Sequence, residues 1–254
     1  MSTNLFDISR KIAVITGGGS GLGQGYAEEL AQSGACVVCI GRHEQSLKHT
    51  VEKIISTGNK ADYFTGDVSD VKFVEKVMSD IYSEYGAIDI LINNAGTEIA
   101  KPIEKVTEND FNKVISVNLK GTYMMAKEAV KYMRCNKSGK IINIASLGSF
   151  IGFAESTVYC ASKGAVMQFT KALAMETAKN NINVNAIAPG YFLTEMTKEF
   201  FEDIEHNEWI CNRIPIGRVG TYKDIIGTLI FLSSHASDYI TGQTFVVDGG
   251  WLAG

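Results

Sequence analysis

Tyr159 and Lys163 stand four positions apart, separated by Cys160, Ala161 and Ser162. On a helix this spacing puts both side chains on one face, about 6 Å apart along the axis. A free phenol, with a pKa of about 10, is a poor base at neutral pH. A nearby ammonium, together with an oxidised nicotinamide ring, favours the phenolate. A phenol tuned in this way can pass a proton to and from a carbinol oxygen. Ser146 lies just past a predicted strand ending at Ile144, at the carboxyl edge of a sheet, where ligands bind in open α/β folds. Tyr-x-x-x-Lys alone also describes an ordinary surface pair, so its weight depends on what accompanies it.

A glycine run, Thr16 to Gly23, falls between a predicted strand and a predicted helix. Gly17, Gly21 and Gly23, with Ser20 and Leu22 among them, suit a tight turn that lets backbone approach a pyrophosphate. The helix that follows would aim its unpaired N–H groups at the anion. A kinase-type P-loop is excluded, because no Gly-Lys-Ser/Thr follows. The second strand ends at Ile40, and Gly41 occupies the place where a carboxylate would bind the ribose 2′-hydroxyl of NAD. Arg42 comes next and could grip a 2′-phosphate with two bonds. NADP is therefore the favoured cofactor and NAD the alternative, in which Arg42 stacks on adenine or is solvated.

The elements that must position these residues alternate along the chain. Strands are predicted over residues 11–16, 35–40, 61–65, 88–92, 139–144, 182–187 and 244–247. Helices are predicted over 26–34, 45–57, 71–85, 108–134, 158–180 and 223–233. Strands alternating with helices imply right-handed β-α-β units. The fold class is α/β, a doubly wound parallel sheet of Rossmann-like type, in one domain spanning 1–254. The segment 190–220 has no strand of its own and is expected to be a substrate lid.

Composition narrows the partners. The formal charge is −4 and no basic run stands out, so a nucleic-acid binder is excluded. No apolar stretch is long enough to span a bilayer, and the first residues carry no export signal. The default expectation is a soluble cytoplasmic protein. Five cysteines with scattered spacing do not form a disulfide framework. Cys36 and Cys39 fall on one predicted strand and point to opposite faces, as expected of core residues. The four histidines show no metal-ligand spacing, and no metal site is expected.

Taken together, the motifs resemble the short-chain dehydrogenase/reductase family. They run nearly end to end: Thr16 to Gly23, Asp67 and Val68, Asn93 to Gly96, Asn118, Ser146, Tyr159 with Lys163, Pro189 with Gly190, and Asp248 to Gly250. The resemblance implies that Tyr159 is the general acid/base and that Ser146 bonds the substrate oxygen. Lys163 would bind the nicotinamide ribose and tune Tyr159, and Asn118 would hold a water in a proton relay to Lys163. Asp67 and Val68 would flank the adenine. Asn93, Asn94 and Gly96 would line the cofactor trench, Pro189 and Gly190 would border it, and Thr194 would contact the carboxamide or pyrophosphate. Read as residues alone, Asn118 could bind backbone within its helix, and Asn93 and Asn94 could be turn formers. The resemblance also implies a small-molecule substrate and a homotetramer with interfaces near 108–134 and 158–180.

Within the family the likeness is to enzymes of gluconate-type sugar acids, carried largely by scaffold and cofactor motifs. The substrate loop gives a conflicting signal. It holds Phe150, Phe153 and Glu155 and no basic residue, and the insertion adds Phe200, Phe201 and Trp209, with Lys198, Arg213 and Arg218 as its cations. A bulkier apolar ketone, such as a hydroxysteroid, is the alternative substrate, unless the Phe residues face the core. A non-catalytic NADP-binding protein is the reading from another class.

Overall fold

Strand β1 (Ile12–Thr16) is buried along its whole length, as a parallel strand covered on both faces must be. The computed structural model describes residues 4–194 and 201–254. Six further strands join β1: β2 (Cys36–Gly41), β3 (Ala61–Thr65), β4 (Ile90–Asn93), β5 (Gly139–Ile144), β6 (Ile182–Pro189) and β7 (Thr244–Val247). They form one sheet in the order β3-β2-β1-β4-β5-β6-β7, with every neighbouring pair parallel. The chain leaves β1 toward one edge and then returns to lay β4 on its other side. A crevice opens at that reversal, at the carboxyl ends of β1 and β4.

Strand periodicity sends alternate residues to two cores. Ala13, Ile15, Val37 and Cys39 pack with Tyr26 and Leu30 of α1 (Gly21–Gln32) and Leu47 of α2 (Glu44–Ser56). Val14, Val38 and Ile40 pack on the other face with Met78 and Ile81 of α3 (Val71–Tyr85). Cys39 belongs to the first core while Cys36 lies against the second, so the strand does separate them, and all five cysteines are free. Helix boundaries follow local chemistry. Asp70 caps α3 by accepting from the N–H groups of Lys72 and Phe73, and Gly86 ends it in the left-handed conformation.

The helix expected over 108–134 is three pieces. α4 (Glu108–Ile115) opens on a Thr107/Asp110 capping box, a π-helical turn runs from Ser116 to Gly121, and α5 (Thr122–Asn136) completes it. The helix expected over 158–180 ends earlier, as α6 (Thr157–Thr177) followed by a 3₁₀ turn and Asn181 at φ 56°. Within the insertion, α7 (Ile204–Arg213) rises over the carboxyl edge, and a single bridge between Phe192 and Gly220 closes the segment at its base. α8 (Tyr222–Ser233) then leads into β7. Leu147, Phe201, Ile210, Ile214 and Trp251 form a small separate core that roofs the site.

Candidate active site

The glycine loop is built for close approach. Gly17 has φ +70°, and a Cβ there would lie 2.9 Å from the Asn94 amide nitrogen. A Cβ on Gly23 would lie 2.1 Å from the Gly17 carbonyl oxygen, so any larger residue would push α1 off the loop. Ser20 precedes α1 without capping it through its side chain, and the first turn of the helix holds no acidic residue. Its N–H groups and positive end therefore remain available to an anion. Thr194 lies opposite, its Cβ 3.7 Å from where a Gly21 Cβ would stand. Leu22 is half-buried against the first core.

Two side chains tie this loop to β4. Thr16 Oγ1 accepts from the N–H groups of Asn94 and Ala95, both at 3.0 Å, and the Asn94 amide donates to the Thr16 carbonyl at 3.0 Å. Asn94 thus acts as a clasp. Asn93 is placed differently: it is buried, and its amide donates inward to Asn143 Oδ1 at 2.9 Å. Asn143 in turn donates to Thr170, so Asn93 joins β4 to β5 and α6 within the sheet. Arg42 is exposed just past β2 and pairs with no carboxylate among the described residues. One oxygen of Asp67 accepts the Ser69 N–H at 2.8 Å, which fixes the turn, and Val68 is buried against Gly121. Pro189 ends β6, and Gly190 donates to Val247 while its missing Cβ leaves room for Asp248.

The catalytic candidates converge at the ends of β4 and β5. Ser146 follows β5 in extended conformation, and its Oγ accepts the Gly148 N–H at 3.1 Å. The Ser146 hydroxyl lies close enough to the Tyr159 phenol to act on it electrostatically. Lys163, one turn further along α6, is buried, and its Nζ donates to the Ile144 carbonyl at 2.7 Å while lying 5.9 Å from the Tyr159 ring centroid. A Cβ on Gly96 would sit 3.5 Å from Lys163 Nζ and 3.6 Å from Asn118 Oδ1, so the three meet at one point.

Asn118 sits in the π-helical turn, a distortion that recurs at functional sites. Its Oδ1 accepts the Thr97 N–H at 2.7 Å, and its Nδ2 donates to the Thr97 carbonyl at 2.9 Å and to Ser162 Oγ at 3.0 Å. The amide thus binds no backbone of its own helix; its partners are the loop after Gly96 and the Ser162 hydroxyl on α6. Ser162 and Thr97 were missed in the sequence. Ser162 could have been found as the residue three past Tyr159, facing the same way on α6.

The electrostatics of the protein alone run the other way for the phenol. Burial pushes Tyr159 up to about 12, the Ser146 hydroxyl pulls it back, and the Glu98 carboxylate pushes it further up. Burial pushes the Lys163 ammonium down to about 8. The protein alone therefore drives both groups toward their neutral forms, because loss of water penalises each charge more than the other's presence relieves it. Lowering of the phenol requires a further positive charge, which the nicotinamide ring of an oxidised cofactor carries. The glycine cradle, the uncapped α1 terminus and the Gly96 approach fit such a dinucleotide.

Around the reacting groups, Glu98 Oε1 accepts the Ser156 hydroxyl at 2.5 Å, and the Lys101 N–H bonds the Glu155 carbonyl, holding Glu155 at φ 62°. Phe153 and Phe201 belong to the roof cluster with Trp251, whereas Phe150 and Trp209 are exposed. Lys198 and Phe200 lie outside the described residues. Among the described residues no group of three or more His, Cys, Asp or Glu could hold a metal ion, and no helix is long and apolar enough to cross a membrane.

Residues 17–252 match the family model described as enoyl-(acyl carrier protein) reductase. A 2-dehydro-3-deoxy-D-gluconate 5-dehydrogenase of Dickeya dadantii is 41% identical over 100% of both chains. A 5-keto-D-gluconate 5-reductase of Escherichia coli is 37% identical over 98% of each. A solved gluconate 5-dehydrogenase of Burkholderia cenocepacia, in complex with NADP and tartrate, superposes with TM-score 0.96 at 35% identity, covering 100% of both chains.

Proposed function

Given that the chain belongs to the short-chain dehydrogenase/reductase family and is a nicotinamide-dependent oxidoreductase of CH–OH groups, we propose that it interconverts a gluconate-type sugar acid and its keto acid with NADP as preferred cofactor. The observation that supports the chemistry is that Lys163 Nζ lies 5.9 Å from the Tyr159 ring and meets Asn118 beside Gly96, with Ser146 near the phenol. The names of full-length relatives at 37% and 41% identity support the substrate class. Gly41 in the place of the acid that would favour NAD, with Arg42 next to it, supports NADP.

The nicotinamide, when bound, supplies or accepts the hydride. Ser146 orients the substrate oxygen with a hydroxyl already aimed by the Gly148 N–H. Tyr159, neutral at physiological pH, donates its proton as a ketone is reduced and recovers it as an alcohol is oxidised. Lys163 lies one helical turn behind, close enough to Asn118 and Gly96 for proton exchange along that wall. The insertion at about 190–220, carrying α7, acts as the lid that excludes water. Phe111, Tyr123 and Met175, exposed on α4, α5 and α6, support a homotetramer assembled through those helices.

The roof cluster of Phe153, Phe201 and Trp251 favours a second reading, reduction of an apolar ketone. The test follows oxidation of NADPH and NADH with 5-keto-D-gluconate, a keto-steroid and a cyclic diketone, with Tyr159→Phe as control. Turnover of the keto acid with NADPH, lost in the variant, is the expected result. Turnover of the apolar ketones alone would replace the substrate class, and tight NADPH binding without turnover would favour a binding protein.

A further inference from the structure

A pocket that prefers a sugar acid over the corresponding neutral sugar must present a cation to the carboxylate. Two cations of the insertion lie among the described residues. Arg218 is held by Asp224 through two bonds, at 2.9 and 2.7 Å, away from the reacting groups. Arg213, in the last turn of α7, is placed otherwise. Its guanidinium carbon lies 4.6 Å from the ring centroid of Trp251 and 5.8 Å from that of Trp209. Indole faces attract a cation without neutralising it. A guanidinium seated there is positioned and still carries its charge toward whatever enters the pocket.

Packing links that guanidinium to the reacting hydroxyls. Trp251 is buried and is fixed by the turn in which Asp248 accepts the N–H groups of Gly250 and Leu252. Its ring lies 4.7 Å from that of Tyr191, and both share the roof cluster with Phe153 and Leu147, the neighbour of Ser146. A Cβ on Gly148 would stand 3.4 Å from Phe153 and 3.5 Å from Tyr159, so this wall is continuous from Trp251 to the phenol. Both charges act along it: burial raises the Tyr191 hydroxyl, Arg213 pulls it back, and Glu98, which accepts the Ser156 hydroxyl, pushes it further up and acts on Tyr159 as well.

We propose that Arg213 selects the substrate, its guanidinium receiving the terminal carboxylate of a keto sugar acid while the ketone lies between Ser146 and Tyr159. This rests on the sugar-acid reading above. Glu98 repels a carboxylate and so sets the direction of entry, with the acid end toward α7. Trp209 and Trp251 then serve to hold the arginine, which is itself exposed and free to meet an incoming carboxylate. The signal was present in the sequence only as one of three cations in an acidic insertion, because the pairing with Trp251 joins segments far apart in the chain.

The experiment compares wild type, Arg213→Gln and Arg213→Lys, each with NADPH, on 5-keto-D-gluconate and on L-sorbose, which carries CH2OH where the acid carries its carboxylate. Arg213→Gln is expected to lower kcat/KM for the keto acid roughly 10- to 150-fold, mainly through KM, the range of a lost charge-assisted bond. L-sorbose should be reduced as before, and Arg213→Lys should recover part of the loss. The chain has two tryptophans, both beside Arg213, so binding has its own readout. D-gluconate added to the NADPH-loaded enzyme should shift their emission in wild type and not in Arg213→Gln, while D-glucitol should shift neither. Equal loss on both substrates would make Arg213 a structural residue and overturn the proposal, as would unchanged KM for the keto acid. Either result leaves the sugar-acid reading standing. A wild type that neither reduces the keto acid nor responds to D-gluconate would overturn that reading and the proposal with it.

Discussion

Replacing Lys163 by Met should make the protein respond differently to pH, and the size of the effect follows from burial. The ammonium's pKa falls from 10.5 to about 8 on folding. Below pH 8 both states carry the charge, and the folded state holds it at a cost of about 3 kcal/mol, the 2.5-unit difference at ~1.36 kcal/mol per unit. Between about pH 8 and 10.5 the unfolded chain still binds the proton and the folded chain has released it, so stability rises with pH across that window. At pH 9.5 the cost has dropped to about 1.4 kcal/mol, and the wild type should gain about 2 kcal/mol on Lys163→Met between pH 7 and 9.5. That corresponds to roughly 4–8 °C in the difference of melting temperatures for a domain of this size. Tyr159 has the opposite sign: its raised pKa makes stability fall between about pH 10 and 12, and it is common to both proteins, so it cancels in the difference. The assay is thermal unfolding of both proteins without nucleotide at half-unit steps from pH 7 to 9.5. A difference that stays flat over that range would refute the reasoning, because it would mean the ammonium keeps its solvation inside the fold.

Arg42→Ser should raise KM for NADPH roughly 10- to 150-fold and leave KM for NADH nearly unchanged, the signature of a lost 2′-phosphate bond; steady-state kinetics with both cofactors checks it. Gly23→Ala would place a methyl 2.1 Å from the Gly17 carbonyl, so it should weaken NADPH binding at least tenfold by calorimetry and cost ~1–3 kcal/mol of stability. In the oxidative direction kcat/KM should rise with pH and level off near 8 as Lys163 sheds its proton, and Lys163→Arg, which keeps its charge, should lack that inflection in a pH–rate profile.

The centre of the sheet was legible because β1, β2 and β4 are short apolar runs bounded by glycine or polar residues, and burial on two faces demands that pattern. Even the opposed placement of Cys36 and Cys39 followed from strand period. Strand ends were less legible. β4 runs Ile90–Asn93 where 88–92 was expected, since the side chain of Asn93 pairs with Asn143 on the neighbouring strand. The π-helical turn at 116–121 left no mark in the apolar period, because it answers to Thr97 and Ser162, which arrive from elsewhere in the chain. The reacting trio could be read because Tyr159 and Lys163 share one helix and Ser146 follows the adjoining strand. The state of that trio could not. The expected lowering of the phenol joins the ammonium to an oxidised nicotinamide, and without that ring Lys163 is bound to the Ile144 carbonyl and desolvated together with its partner.

That joint desolvation gives the arrangement its logic. A phenol near 12 does not ionise at neutral pH, so it keeps the proton needed to complete a ketone reduction. An amine near 8 does exchange protons in that range, so Lys163 is the group through which the pair can be recharged. The same burial that separates the two values also makes each sensitive to a new charge, since a cation placed beside them acts in a medium with little water to screen it. An oxidised nicotinamide held there would supply such a cation, and its charge would favour the phenolate form of Tyr159. The fold supplies the burial through particular contacts: Gly96 admits Lys163 and Asn118 to one point, Asn118 holds the loop at Thr97 over them, and Ser146 is aimed by Gly148. Loss of any of these contacts would admit water, draw both pKa values back toward their ordinary ranges, and weaken the coupling between the charge of the cofactor and the proton on Tyr159.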